Sequence, residues 1–174
     1  MDRVKNVAES KTIMTELIMP NDTNPLGNLM GGNLMHWMDI AGGICAGRHC
    51  EVHVVTASVD HVSFQQAIKL GSVIELRAEV TRAFKTSVEV YMEVYVSDFD
   101  GKNTVKSNHA YMTFVALDEN KQKPVPVPKI HPVTPEEIKR YEAATRRREL
   151  RLILSGRIKP EEAKDLRSFF TEMD

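Results

Sequence analysis

The chain has 174 residues and a formal net charge of −1. This is enough for one domain with a sizeable core and a tail, and too short for two independent enzymatic domains. The near-balanced charge excludes an obvious nucleic-acid binder, and no apolar run approaches the roughly 20 residues that cross a bilayer. With no basic-then-apolar leader at its start, the chain reads as soluble and cytoplasmic.

In chain order, Thr12 to Ile18 is rich in β-branched residues and precedes Pro20, which predicts a first strand. The turn-forming stretch Pro20-Asn21-Asp22-Thr23-Asn24-Pro25-Leu26-Gly27-Asn28 runs through Gly31-Gly32 into a segment apolar on almost every side, a predicted helix from Gly32 or Asn33 to near Cys50. Cys45 and Cys50 lie in that helix without a CxxC spacing or a second pair, which argues against a disulfide framework or a zinc site. Four stretches of period-two alternation follow: Val54 to Phe64, Ser72 to Phe84, Ser87 to Asp98 and Thr104 to Asp118. Gly71, the Lys85-Thr86 corner and Asp98-Phe99-Asp100-Gly101-Lys102 punctuate them as turns. A strand, a long buried helix and an antiparallel meander together predict an α+β architecture, a sheet wrapped around one helix.

Five prolines between Lys123 and Pro135 predict an extended connection rather than a strand or helix, closing a core domain at residue 122. Residues 136–174 then form a C-terminal helical extension. Thr134 and Glu137 make a capping box, Pro135 suits the first helical position, and Gly156 ends a charged helix over Glu136 to Leu154. Pro160-Glu161-Glu162 opens a second short helix carrying Leu166, Phe169 and Phe170. The Arg146-Arg147-Arg148 run sits among Glu136, Glu137, Glu142 and Glu149, and reads as a solvated or subunit-packing face rather than a nucleic-acid or membrane patch.

Asp39 is the residue that demands an explanation, because an aspartate inside an apolar helix is almost never buried unless paired or working. The Gly31-Gly32 step leaves no side chain between a ligand and the first N–H groups of the helix, an end that attracts an oxyanion or phosphate. Asp39 lies about seven residues from Gly32, or about 10 Å along the axis. One subunit does not easily bring both groups to one carbon. Two antiparallel helices about a two-fold axis would set the Asp39 of one chain opposite the glycine turn of the other, which predicts a site shared at a dimer interface. A lone histidine near a helix start is ordinarily packed or hydrogen-bonded, so His36, like His61 and His109, is given no chemistry.

Several segments resemble a known family. These are Met19-Pro20-x-Asp22-Thr23-Asn24, Gly27-Asn28-x-x-Gly31-Gly32, Met38-Asp39, Val59-Asp60-x-Val62-x-Phe64, Gly71-Ser72-Val73 and Thr113-Phe114-Val115-Ala116-Leu117-Asp118. In order and spacing, from about Ile13 to Asp118, they are similar to the hotdog-fold acyl-CoA thioesterases of the cytosolic acyl-CoA hydrolase group. The resemblance implies a helix wrapped by a sheet, dimers with a continuous sheet that assemble as trimers of dimers, an acyl-CoA substrate, and no metal or separate cofactor. It matches Asp39 to the catalytic acid, acting as general base on water or as nucleophile, and Asn28 to a polar residue from the opposite subunit. The Gly32 N–H would stabilise the oxyanion. It also matches Arg82, Lys85, Thr86 and Ser87 to the hairpin where the nucleotide end of coenzyme A binds, with Lys69 and Lys106 as weaker candidates. Many relatives carry an aromatic residue or histidine before the glycine pair, and this chain has Met30.

Two other classes can be set beside that reading. A hotdog enoyl-CoA hydratase needs a His–Asp pair at its own helix spacing, and no histidine stands five residues after Asp39. A non-catalytic acyl-CoA sensor of the same fold usually carries a helix-turn-helix, for which the residues before the first strand leave no room.

Overall fold

The computed structural model describes residues 3–60, 62, 66–120 and 122–171. Two compact units divide at the boundary between His131 and Pro132. The first contains β1 (Val4–Asn6), β2 (Thr12–Leu17), α1 (Gly31–Cys50), β3 (Val54–Asp60), β4 (Val73–Ala83), β5 (Ser87–Ser97), β6 (Val105–Ala116) and β7 (Lys129–His131). Strands β2, β4, β5, β6 and β3 form, in that order, one antiparallel five-stranded sheet. This is the α+β architecture of a sheet around a helix.

Three local expectations are corrected. The helix starts at Gly31 rather than Gly32 or Asn33, because the Leu34 N–H already donates to the Met30 carbonyl at 3.2 Å. The proline-rich connection is not wholly without regular structure: Lys129–His131 pairs in parallel with Val4–Asn6. The prolines at 124, 126, 128 and 132 flank this three-residue run and leave its N–H groups intact. The third strand ends at Asp60, and His61 and Phe64 lie outside the described residues.

One face of α1 is buried, through Leu34, Met38, Ala41, Gly42, Cys45, Ala46, His49 and Cys50, whose spacing of three and four keeps them on one stripe. Ile74, Leu76, Val80, Val88, Val90, Met92, Met112 and Phe114 of β4, β5 and β6 complete the core, all but solvent-free. The helix approaches the sheet closely at Gly42, where an added Cβ would lie 2.8 Å from Phe114 Cζ. The opposite face of α1 exposes Met35, Ile40 and Ile44. The sequence-based expectation of a helix buried all round is therefore met on one side only in a single chain, since one sheet covers only one side of a cylinder.

The far end of α1 is fastened by polar contacts. His49 is fully buried and its Nε2 lies 2.8 Å from the Pro128 carbonyl, just before β7, while its Nδ1 has no partner among the described residues. The neutral tautomer with hydrogen on Nε2 fits this setting. Lys5 Nζ donates to the Arg48 carbonyl at 2.8 Å and pairs with Glu51. Burial pushes Cys45 and Cys50 to about 12, so both are inert thiols.

In the second unit, α2 (Pro135–Leu154) begins with the expected capping box: the Glu137 N–H donates to Thr134 Oγ1, and Glu137 Oε2 accepts from the Thr134 N–H, each at 3.2 Å. Pro160–Glu162 forms a 3-10 turn rather than the start of the last helix, which is α3 (Lys164–Thr171). Glu149 accepts from the Leu166 N–H at 2.7 Å, and Arg146 stacks over Phe169 at 4.5 Å. At least Arg146 of the arginine run thus packs within the unit.

Two outcomes follow from this packing. Replacing Gly42 by Ala should lower the unfolding free energy by about 1–3 kcal/mol through the clash with Phe114, and Phe114→Leu in the same chain should recover part of it; urea denaturation measures both. Burial lowers the His49 pKa, with Lys5 adding to the effect and the Pro128 carbonyl, Glu9 and Glu51 opposing it. The unfolded chain therefore takes up a proton near pH 6.5 that the folded chain refuses, so stability is lost as pH falls below about 6.5. Urea midpoints at pH 7.5 and 5.5 should differ less in His49→Gln than in the wild type.

Candidate functional site

The turn before α1 is built by its own side chains. The Met19 N–H donates to Asp22 Oδ2 at 2.9 Å, and Asn24 Oδ1 accepts from the Leu26 and Asn28 N–H groups at 3.0 and 3.2 Å. Gly27, with φ of +73°, supplies the left-handed step that non-glycine residues avoid. The loop is held to the segment before β4 by the Leu29 N–H donating to the Ile68 carbonyl at 2.7 Å and the Leu70 N–H donating to the Gly27 carbonyl at 3.0 Å. Asn28 is half-buried, and its side-chain amide hydrogen-bonds no described residue.

This loop delivers Gly31 and Gly32 as the first two residues of α1. Their N–H groups precede the first i to i−4 bond and are left for a ligand. A Cβ on Gly32 would meet nothing within 4 Å, and neither glycine has positive φ. Glycine here keeps space open beside the donors rather than relieving the backbone.

Asp39 lies on the exposed face of α1, and its Oδ1 accepts a hydrogen bond from Thr56 Oγ1. Thr56 is held at a β-bulge: the register of β3 on β6 shifts between Thr56 and Ser58, and Ala57 is the extra residue. Such bulges re-aim side chains. Sequence reasoning missed Thr56; the signal available was a hydroxyl residue where the alternation of Val54-Val55-Thr56-Ala57-Ser58-Val59 breaks.

Gly32 and Asp39 line one cavity of about 240 Å³ in a single chain, with Met35, His36, Met38, Val59 and Met112. Its wall is mostly thioether and branched aliphatic, and Asp39 and His36 are its only titratable groups among the described residues. An open N–H, a carboxylate and an apolar slot together suit a carbonyl compound with an alkyl tail.

The Arg82-to-Ser87 segment forms the corner between β4 and β5. The Phe84 N–H donates to the Ser87 carbonyl at 2.8 Å, the Ala116 N–H to the Thr86 carbonyl at 3.0 Å, and the Val127 N–H to the Lys85 carbonyl at 3.2 Å. Lys85 is exposed, whereas Arg82 stands opposite Glu89 in the ladder. Thr56 pairs with Phe114 and Phe114 with Val88, so the corner lies two strands from Thr56, about 10 Å across the sheet. Lys106 faces away from this site, bonded to Glu93 and Tyr91 at 2.7 and 3.0 Å. Lys69 borders a separate polar groove with Gln66, Asp98, Asn103 and Ser107. No group of three or more His, Cys, Asp or Glu gathers as a metal site among the described residues.

Comparison with known proteins identifies the family. Residues 26–99 match the family model described as the thioesterase superfamily. The acyl-CoA thioester hydrolase YkhA of Bacillus subtilis, itself uncharacterized, is 39% identical over 139 residues, 80% of each chain. The chain belongs to the hotdog acyl-CoA thioesterase family. Among solved structures, an apo-hexameric acyl-CoA thioesterase superimposes with a TM-score of 0.84 at 37% identity, covering 88% of this chain and 97% of its own. An acyl-CoA hydrolase of Staphylococcus aureus, solved with butyryl coenzyme A and coenzyme A, gives 0.81 at 32% identity over 97% and 99% of the two chains. Alanine variants of that enzyme replace an asparagine, an aspartate fifteen positions later and a threonine seventeen beyond it. Asn24, Asp39 and Thr56 stand at the same separations here.

Proposed function

We propose that this protein hydrolyses acyl-CoA thioesters to a carboxylic acid and coenzyme A. The observation that carries this reading is the single cavity that joins the unused N–H of Gly32, the Asp39 carboxylate and an apolar wall. A thioester carbonyl directed at the Gly32 N–H of one chain, opposite the Asp39 of the other, gains a hydrogen bond that strengthens as charge grows on its oxygen. Asp39 either takes a proton from the attacking water or attacks the carbon itself. The Thr56 hydroxyl, by donating to Oδ1, fixes the carboxylate and leaves Oδ2 for that step. The apolar wall receives the acyl chain, and Arg82, Lys85, Thr86 and Ser87 receive the phosphates and adenine of coenzyme A.

The active unit in this reading is a dimer. Met35, Ile40 and Ile44 on α1 and Val55 and Val59 on β3 are exposed in one chain, and β3 is an unpaired sheet edge. Joining two chains there covers the apolar face and continues the sheet, with a trimer of dimers as the larger assembly. A cytoplasmic setting belongs to the same reading, and no helix among the described residues is long and apolar enough to cross a membrane. The partner's polar residue is Asn28 or Asn24. The spacing shared with the staphylococcal variants favours Asn24, and the unbonded amide favours Asn28.

Thiol release from a panel of acyl-CoA esters tests the reaction. Asp39→Asn should reduce kcat by about 10² or more and Thr56→Val by about tenfold, with the oligomer intact. Saturable acyl-CoA binding without turnover in the wild type would sink the enzyme reading and favour a sensor. Mixing Asp39→Asn subunits with Asn24→Ala subunits, and separately with Asn28→Ala subunits, tests the shared site. If the site is shared, random exchange gives heterodimers with one intact site of two, restoring about a quarter of wild-type activity for the correct asparagine. A site contained within one chain would give no recovery.

A further inference from the structure

Resting on the thioesterase reading above, we propose that His36, set between the Gly32 N–H and the Asp39 carboxylate on one stripe of α1, is the acid that protonates the departing coenzyme A sulfur. At about 100° per residue, Gly32, His36 and Asp39 fall within an arc of about 60°, with His36 about 6 Å along the axis from Gly32 and about 4.5 Å from Asp39. All three line the same cavity. His36 is exposed in the chain, and its imidazole makes no hydrogen bond to a described residue, so it is neither packed nor capped as a histidine near a helix start ordinarily is. The strands facing it across the cavity contribute Val59 and Met112, which are apolar, and among the described residues Asp39 is the only charged group beside it on the cavity wall.

The step balances in protons and electrons. Water adds to the carbonyl carbon as its proton passes to Asp39, and the carbonyl electron pair moves to the oxygen held by the Gly32 N–H that faces Asp39 across the dimer. The pair returns to reform the carbonyl, the C–S bond breaks with its electrons on sulfur, and the His36 N–H proton forms the S–H bond. The proton held by Asp39 then returns the imidazole to its acid form, three residues away on the same face. The sum is thioester plus water giving carboxylic acid plus thiol, with both side chains restored.

The test compares two thioesters of one acyl group, one of coenzyme A and one of an acidic aryl thiol whose thiolate leaves without a proton. Against wild type, His36→Gln should lower kcat for the coenzyme A ester on the order of 10² while leaving KM within about twofold, and should leave turnover of the aryl ester nearly unchanged. Added imidazole should restore part of the activity of His36→Ala toward the coenzyme A ester. Asp39→Asn should slow both esters. Equal losses on the two esters, a change confined to KM, or an unchanged kcat in His36→Gln would overturn the assignment of His36 alone. Failure of the wild type to hydrolyse either ester would instead remove the thioesterase reading, and this proposal with it.

Discussion

A helix with apolar residues around most of its circumference needs cover on two sides, and a single sheet covers one. This constraint organises the first unit. Leu34, Met38, Cys45 and their neighbours bind α1 to β4, β5 and β6 with the tight approach of Gly42 to Phe114 at its centre, leaving Met35, Ile40 and Ile44 without cover in one chain. The uncovered stripe also holds Asp39, so the polar group that a core would exclude stands on the face that the sheet leaves open. Burial on one face and an exposed carboxylate on the other are thus consequences of one helix.

The remaining polar detail follows from orphaned backbone groups. The first N–H donors of α1 have no partner inside the helix, and glycine keeps them accessible. At the other end, Arg48 and Glu51 engage Lys5, and His49 holds the segment that leads into β7. One end of α1 is therefore tied down by the chain termini of the unit, while the other stays open to a ligand. The bulge in β3 adds the third part, since without the extra residue Ala57 the hydroxyl of Thr56 and the side chain of Ser58 would lie in a different register relative to β6.

Much of this was legible from residue order. Alternation located the strands to within a few residues, the capping box located α2, and the isolated carboxylate in an apolar helix singled out Asp39. The pairing of Val4–Asn6 with Lys129–His131 was not legible, because three-residue strands far apart in sequence leave no period to detect. Nor was the contact of Thr56 with Asp39, which joins a strand residue at a bulge to a helix residue seventeen positions away. Nothing in the residue order distinguishes His36 from a lone histidine packed near a helix start. Its accessibility and its place on the cavity wall are properties of the folded chain.

The sequence by itself determined the local geometry and the chemistry on offer: where helix and strands begin, which helix end carries free donors, and that one carboxylate lies seven residues from them. These are properties of short-range periodicity, φ preference and side-chain type, which act within a few residues. Which face of α1 meets the sheet, that Gly32 and Asp39 open into one cavity, and that Thr56 bonds Asp39 were decided only by the tertiary structure. Long-range strand pairing and close packing select among the faces that an all-apolar helix leaves equivalent.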